Sequence, residues 1–378
     1  MDERYRTSLL DWLACAYGGR DEDAPAAARA VATSTPDRIA AAAAAGHVLD
    51  YDDTYLPGLA HLSAPVAPVA CVLGAELSAT IGDVMSAYAA GFEVMGAFTR
   101  AGHPTLYERG WHPTAVCGVV GAATAACQLL GLNGKDRESA LGLSLASASG
   151  LQGSFGSHAK SLQVGASAAA GVRAANLAAA GARSSLERIA TGFEGAYGAA
   201  WVRAASDDPP AIEENWIKAF PCCLQTHSSN EAAEKARAAG ITDGAVEIVV
   251  HPVSRRAAPY DEVRDGLQAK FSIPYLVAFT LLHGPPGVRD FEKVDADAAT
   301  LADGVTVTTD ESLLESEARL RAGDFETRID AALGSPRHPM TTEQLEAKVR
   351  DLSGDALVGV LDDPREPAKL LVDAARLL

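Results

Sequence analysis

Three stretches of this sequence carry side chains able to move protons or hold anions. The first, LDYDDTYLPGLAHLS from Leu49 to Ser63, sets Asp50, Asp52 and Asp53 beside Thr54 and His61. Carboxylates and a histidine in an irregular segment held by helices suit acid–base chemistry. The plainer alternative is that Asp52 and Asp53 cap the next turn and His61 is a satisfied loop histidine. In the second stretch His112 precedes Pro113 at the start of a long apolar run. The positive end of a helix dipole favours the neutral imidazole there, as a general base near neutral pH requires, although a surface capping histidine fits the same pattern. The third stretch, GLQGSFGSHAKSLQVGAS, puts Lys160 in an apolar setting with Gly153, Gly156 and Gly165 nearby. Glycines allow close backbone approach to an anion, whereas most lysines simply decorate a solvated face.

Helices must position these groups. From Arg4 to Tyr17, Leu9, Leu10, Leu13, Ala14 and Tyr17 recur at helical spacing before Gly18 and Gly19. Pro25–Thr33 and Pro36–Ala45 each begin with a proline suited to a first turn, and Gly46 is the expected stop of the second. Further helices are predicted over Pro65–Leu77, Ile81–Thr99, from Pro113 onward, over Asp136–Ser149 and over Val164–Ala180. Ala204–Asn215, with a proline pair in a charged run, reads as a boundary. Beyond it Glu247–Val253, Gly304–Thr309 and Phe325–Ala331 alternate like strands, and Ile273–Leu282 reads as a helix. Helices return with TTEQLEAKVRDL, which opens on a threonine cap, and with an amphipathic Glu366–Leu378. The expected class is mainly α: an all-helical domain from both chain ends, 1–213 and 338–378, plus a smaller α+β lid, 214–337.

Composition narrows the partners. A net charge of −17 argues against nucleic acid and acidic membranes, so an anionic ligand must be drawn in by a few local cations. The near-uncharged Ala115–Leu132 is short and contains Thr124 and Gln128, a buried helix rather than a membrane span. Six cysteines without a CxxC pair, behind a start lacking a signal-peptide pattern, point to a reducing cytoplasm.

Six motifs in order, LDYDDTYLPGLAHLSAP, RGWHPTAVCGVVGAA, SHAKSLQVGASAAAG, WIKAFPCCLQTH, AKFSIPYLVAF and GSPRHPMTTEQLEAKV, resemble the MmgE/PrpD family nearly end to end. The resemblance implies a helical domain with an α+β lid, a homodimer, and cofactor-independent lyase, decarboxylase or epimerase chemistry on small polycarboxylic acids. It implies a pocket with Asp50, Thr54, His61 and His112, with Lys160, and with Lys218 and Tyr275 from the lid. Three departures from the family pattern stand out: one extra residue between Thr54 and His61, Gln163 where a histidine is common, and Cys223 in place of a lid histidine. The leading expectation is a hydro-lyase in which His61 and His112 move protons, Asp50 orients a histidine or bonds a hydroxyl, and Tyr275 donates. Lys160 and Lys218 clamp carboxylates, with Thr54 and Cys223 lining the substrate and no metal or cofactor involved. The alternatives are an epimerase, a divalent-metal site on Asp50, Asp52, Asp53 and His61, a ligand-binding descendant without catalysis, and a Cys222–Cys223 nucleophile.

Overall fold

Alanine-rich helices with well-formed caps build the larger part of the chain. The side-chain oxygens of Ser34, Thr80 and Thr341 accept from the backbone N–H three residues on, and Asp37, Asp83 and Gln344 complete capping boxes. The computed structural model describes residues 2–200 and 208–378, so 204–207 of the expected boundary lie outside the described residues. Two compact units result: Met1–Ser154, His158–Ile217 and Thr341–Leu378 form one, and Phe155–Ser157 with Lys218–Met340 form the other. The chain divides at 217/218 and 340/341, slightly beyond 213/214 and 337/338. The cause is local: Asn215–Trp216 pairs antiparallel with Thr54–Tyr55 and stays with the first unit, while Ser335 bridges to His338 within the second.

In the first unit the Pro113–Leu129 helix is buried along nearly its whole length. It packs against the Ile81–Gly102 and Ala159–Ala179 helices, and small residues allow the approach. A Cβ at Gly171 would stand 2.6 Å from the carbonyl oxygen of Val119. Gly46, expected to stop its helix, instead lies inside Thr35–Val48. Its role is steric: a Cβ there would come within 2.2 Å of the Trp12 indole nitrogen. The terminal segment is less helical than expected, only Lys369–Ala374. Residues 366–368 are committed to bridging 79–81, with Ile81 N–H donating to Glu366 O at 2.8 Å and Ala368 N–H to Ala79 O at 2.9 Å.

The second unit has a four-stranded sheet ordered Val305–Thr309, Val246–Val250, Ala318–Ala322, Phe325–Ile329. The first pair is parallel and the other two are antiparallel. Ala318–Ala322 was absent from the sequence reading because Arg319 and Arg321 disguise it, yet Ala318 and Leu320 are buried. The His227–Ala238 and Ile273–His283 helices cover the sheet through Ala232, Ala236, Val277 and Leu281. Among the described residues no helix is long and apolar enough to cross a membrane.

Gly46→Ala tests the contact with Trp12. Helix propensity alone favours alanine by about 1 kcal/mol, but forcing a methyl against a packed indole costs about 1–3 kcal/mol. A lower urea midpoint at unchanged m-value is expected; a raised midpoint would show that Trp12 yields freely.

Candidate functional site

The first unit's site begins where the Thr35–Val48 helix ends. Asp50 takes a left-handed backbone with φ 54°, which lets three carboxylates within four residues leave the chain in different directions. The next peptide is held from both chain ends. Lys348 Nζ donates to Tyr51 O at 2.8 Å, pairs with Asp11 Oδ1 at 2.6 Å and lies 3.8 Å from the Tyr51 ring centroid. Burial works against the Lys348 charge, but the field of Asp11 outweighs it and the pKa rises.

The three carboxylates differ in their partners, and Asp50 and Asp52 share His61. Asp50 Oδ1 accepts from Lys160 Nζ at 2.6 Å and lies 3.7 Å from His61 Nε2. Asp52, fully buried, faces two imidazoles: His47 Nδ1 at 2.9 and 3.1 Å and His61 Nδ1 at 3.2 Å. Burial pushes the Asp52 pKa up, yet the fields and hydrogen bonds of His47 and His61 hold it well below the usual carboxylate range. Asp53 Oδ2 accepts from Ser63 Oγ at 2.6 Å and Asn215 Nδ2 at 2.7 Å, while its Oδ1 has no partner. Burial, with Asp11 and Asp52 nearby, raises Asp53 to about 8. Neighbouring carboxyls thus sit in opposite protonation states at neutral pH.

His112 occupies the N-terminal position of the Pro113–Leu129 helix, as its spacing implied, without a capping hydrogen bond from its side chain. Its Nδ1 is 2.7 Å from Gln163 Nε2. The amide's orientation follows from its other end, because Gln163 Oε1 accepts from the Leu151 N–H at 3.0 Å and that group only donates. Gln163 therefore donates to His112 Nδ1, and the imidazole proton resides on Nε2. Burial first, then the fields of His47 and Lys160, lowers the His112 pKa well below the ordinary histidine value. At His61 the order is reversed: Nδ1 faces the ionised Asp52, which leaves the Nε2 lone pair as the basic position. Thr54 Oγ1 lies 3.4 Å from His61 Nδ1, and Thr114 Oγ1 accepts the His61 backbone N–H at 3.1 Å. The His47 ring centroid is 4.5 Å from that of His61 and 6.1 Å from that of His112.

Asp50, Thr54, His61, His112 and Lys160 thus gather in the first unit, with Gln163 beside them. Lys218, Cys223 and Tyr275 belong to the second. There Lys218 is fully buried, and Tyr275 Oη accepts from Asp295 N–H at 3.0 Å with its ring among Phe220, Leu276 and Phe279. Cys222 and Cys223 are buried thiols outside any disulfide, Cys222 Sγ 3.3 Å from Thr226 Oγ1 and Cys223 Sγ 3.9 Å from Ala257 O. Two of the glycines near Lys160 face protein atoms, and around Gly153 the space is open. Gly165 abuts a helix, where a Cβ would lie 2.4 Å from Ala40 O, and Gly156 faces Tyr260.

Two participants escaped the sequence reading, His47 and the orienting role of Asp52. His47 closes an alanine run with no polar neighbour; the one signal was its five-residue spacing to Asp52. Among the described residues His47, Asp52 and His61 are the group whose donor atoms lie within 4.8 Å of one another, as a divalent ion would need. The distances to Asp52 are those of N–H···O bonds, while His47 Nε2 has no hydrogen-bond partner.

Family models match most of the chain: the MmgE/PrpD N-terminal domain over residues 39–203 and the MmgE/PrpD C-terminal domain over residues 220–366. Among curated proteins the chain is similar to the cis-aconitate decarboxylase of Homo sapiens, 26% identical over 341 residues, covering 80% of this chain and 69% of that protein. The Mus musculus cis-aconitate decarboxylase is 24% identical over 338 residues with the same coverage.

Asp53 gives the pH test of these electrostatics. Its folded pKa of about 8 lies above the unfolded value of 3.8, so its contribution to stability is complete below about pH 4 and is lost as pH rises toward 8. Asp53→Asn mimics the protonated acid and removes that slope. In urea unfolding across this window, the stability of wild type minus that of Asp53→Asn should fall with rising pH by several kcal/mol; a difference independent of pH would show that Asp53 is ionised in the fold.

Proposed function

The chain belongs to the MmgE/PrpD family, and on that premise we propose that it is a cofactor-independent lyase. It breaks a bond by proton transfer at the carbon next to a carboxylate of a small polycarboxylic acid, with dehydration or hydration as the leading reaction. The observation that carries this is the opposed state of two histidines: His61 with Nδ1 held by Asp52, and His112 with Nδ1 held by Gln163. One presents a lone pair and the other an N–H.

In the dehydration direction His61 Nε2 takes the α-proton. The C–H electron pair becomes the new C=C bond, the C–O bond breaks, and the departing oxygen takes the Nε2 proton of His112 and leaves as water; the proton held by His61 then passes through that water to His112 Nε2, which restores both imidazoles. Charge building on the substrate carboxylate in between is stabilised by Lys160, which Asp50 aims. Burial outweighs the pull of Asp50 on His112, so it enters the cycle neutral, with its one proton on Nε2. The substrate-binding role of Lys218 and Cys223, the donating role of Tyr275 and the homodimer are proposed on the resemblance alone, and the cytoplasmic setting on the cysteine pattern.

Decarboxylation is the second reading, favoured by the curated relatives named for it. Here the C–C bond to the leaving carbon dioxide breaks, and His112 protonates the carbon left behind. Epimerisation uses the same two histidines to remove and return one proton on opposite faces.

The deciding experiment incubates the protein in heavy water with a panel of small di- and tricarboxylates and follows α-protons and released carbon dioxide by NMR. Alkene or hydrated product supports the hydro-lyase, carbon dioxide release the decarboxylase, and deuterium uptake with inversion alone the epimerase. Exchange should be unchanged after exhaustive chelation, and loss restored by a divalent ion would overturn the metal-free chemistry. His112→Ala should lower turnover by at least about two orders of magnitude while the fold survives. Wild-type turnover in that variant would remove His112 from the mechanism.

A further inference from the structure

His47 is used by none of the steps above, although it is among the most buried polar groups of the first unit, 1% exposed in the last turn of its helix. A histidine buried without purpose is destabilising, since its polar nitrogens lose water. Its contacts assign it one. Nδ1 approaches both oxygens of Asp52, at 2.9 and 3.1 Å, and Oδ2 is also the oxygen 3.2 Å from His61 Nδ1.

We infer that His47 is a positioning residue for proton transfer: by donating its Nδ1 proton to Asp52, it fixes the plane of that carboxylate and directs Oδ2 at His61. The inference rests on the reading of His61 as a base. A carboxylate that accepts from two imidazoles is held in one orientation by both. A single rotatable Asp52 could otherwise turn its oxygens away from His61.

The proton assignment is forced. Asp52 is ionised and only accepts, so a lone pair on His47 Nδ1 at 2.9 Å would be repelled. Burial holds His47 to a pKa of about 4 against the pull of Asp52, so it carries one proton at neutral pH, on Nδ1. Its Nε2 is buried with no hydrogen-bond partner. His47 is therefore a fixed donor and does not relay protons onward.

Other charges also bear on His61. Asp50 and Asp52 face it from its own segment, with Asp53 behind Asp52. His47 comes from the preceding helix, His112 from the start of the Pro113–Leu129 helix, and Lys160 from the Ala159–Ala179 helix, where it is paired with Asp50. All of these except His47 are left in place by the variants below.

The test reads the imidazoles directly and needs no turnover. Protein labelled with nitrogen-15 in histidine is titrated by long-range proton–nitrogen NMR, as wild type, His47→Asn and His47→Leu. Asparagine places an amide N–H near the position of Nδ1; leucine fills the space without a donor. Wild type should show His47 protonated at Nδ1 and His112 at Nε2. His61 should be protonated at Nδ1 in wild type and in His47→Asn, and should lose that single tautomer in His47→Leu, where Asp52 can turn. A proton on Nε2 of His47 in the wild-type spectrum overturns the inference even if neither variant folds, and so does the same His61 tautomer in all three proteins. If a substrate is turned over, kcat should fall in His47→Leu and be retained in His47→Asn, with KM unchanged in both. If the spectra behave as expected and no acid on the panel reacts, the proposed lyase activity has failed and the positioning role has not.

Discussion

The buried ion pair between Asp11 and Lys348 holds the site together. Asp11 lies on the opening helix and Lys348 on the Thr342–Ser353 helix near the other end of the chain, and both are almost wholly screened from water. Such a pair is expensive to bury, and losing one member leaves an uncompensated charge at a cost of roughly 3–5 kcal/mol. What the pair secures is one carbonyl, that of Tyr51, whose peptide lies between the left-handed Asp50 and Asp52. That peptide is the pivot from which Asp50 reaches Lys160 and Asp52 reaches the two histidines. Both chain ends belong to one unit for the same reason: the site's turn needs a partner from each.

Close helix packing supplies the second condition. His47, His112 and Lys160 stand on three different elements, and their side chains meet because glycine and alanine let those backbones approach, as at Gly165 against Ala40. A protein of net charge −17 thereby concentrates a lysine and three imidazoles in one buried place. Burial then does most of the electrostatic tuning, holding His47 and His112 neutral and Asp53 protonated, while paired hydrogen bonds keep Asp52 charged.

Most helices could be read directly from spacing and caps, as at Thr341, because those signals are local. The mainly α class followed from them. Long-range facts were not legible. Gly46 has the residue type of a helix stop, and only the distant Trp12 shows why a glycine continues the helix there. The Ala318–Ala322 strand hides behind its arginines because burial of Ala318 and Leu320 depends on a sheet assembled from elsewhere. In the site, Asp50, His61, His112 and Lys160 were named from their motifs. His47 was not, since its meaning comes from a carboxylate that turns back toward it after Asp50 takes its left-handed conformation.

Gln163 shows how a departure from a family pattern can itself be informative. A histidine in its place could donate to or accept from His112 depending on its tautomer, and would titrate. An amide does neither. With Oε1 engaged by the Leu151 N–H and Nε2 directed at His112 Nδ1 and Ser154 Oγ, both at 2.7 Å, the side chain cannot flip without setting its NH2 against the Leu151 N–H, which only donates. The proton of His112 is thereby kept on Nε2 at every pH where the imidazole is neutral. Asp52 imposes the opposite arrangement on His61 by charge. One donor fixed by a neutral amide and one acceptor fixed by a carboxylate are thus set by the fold itself.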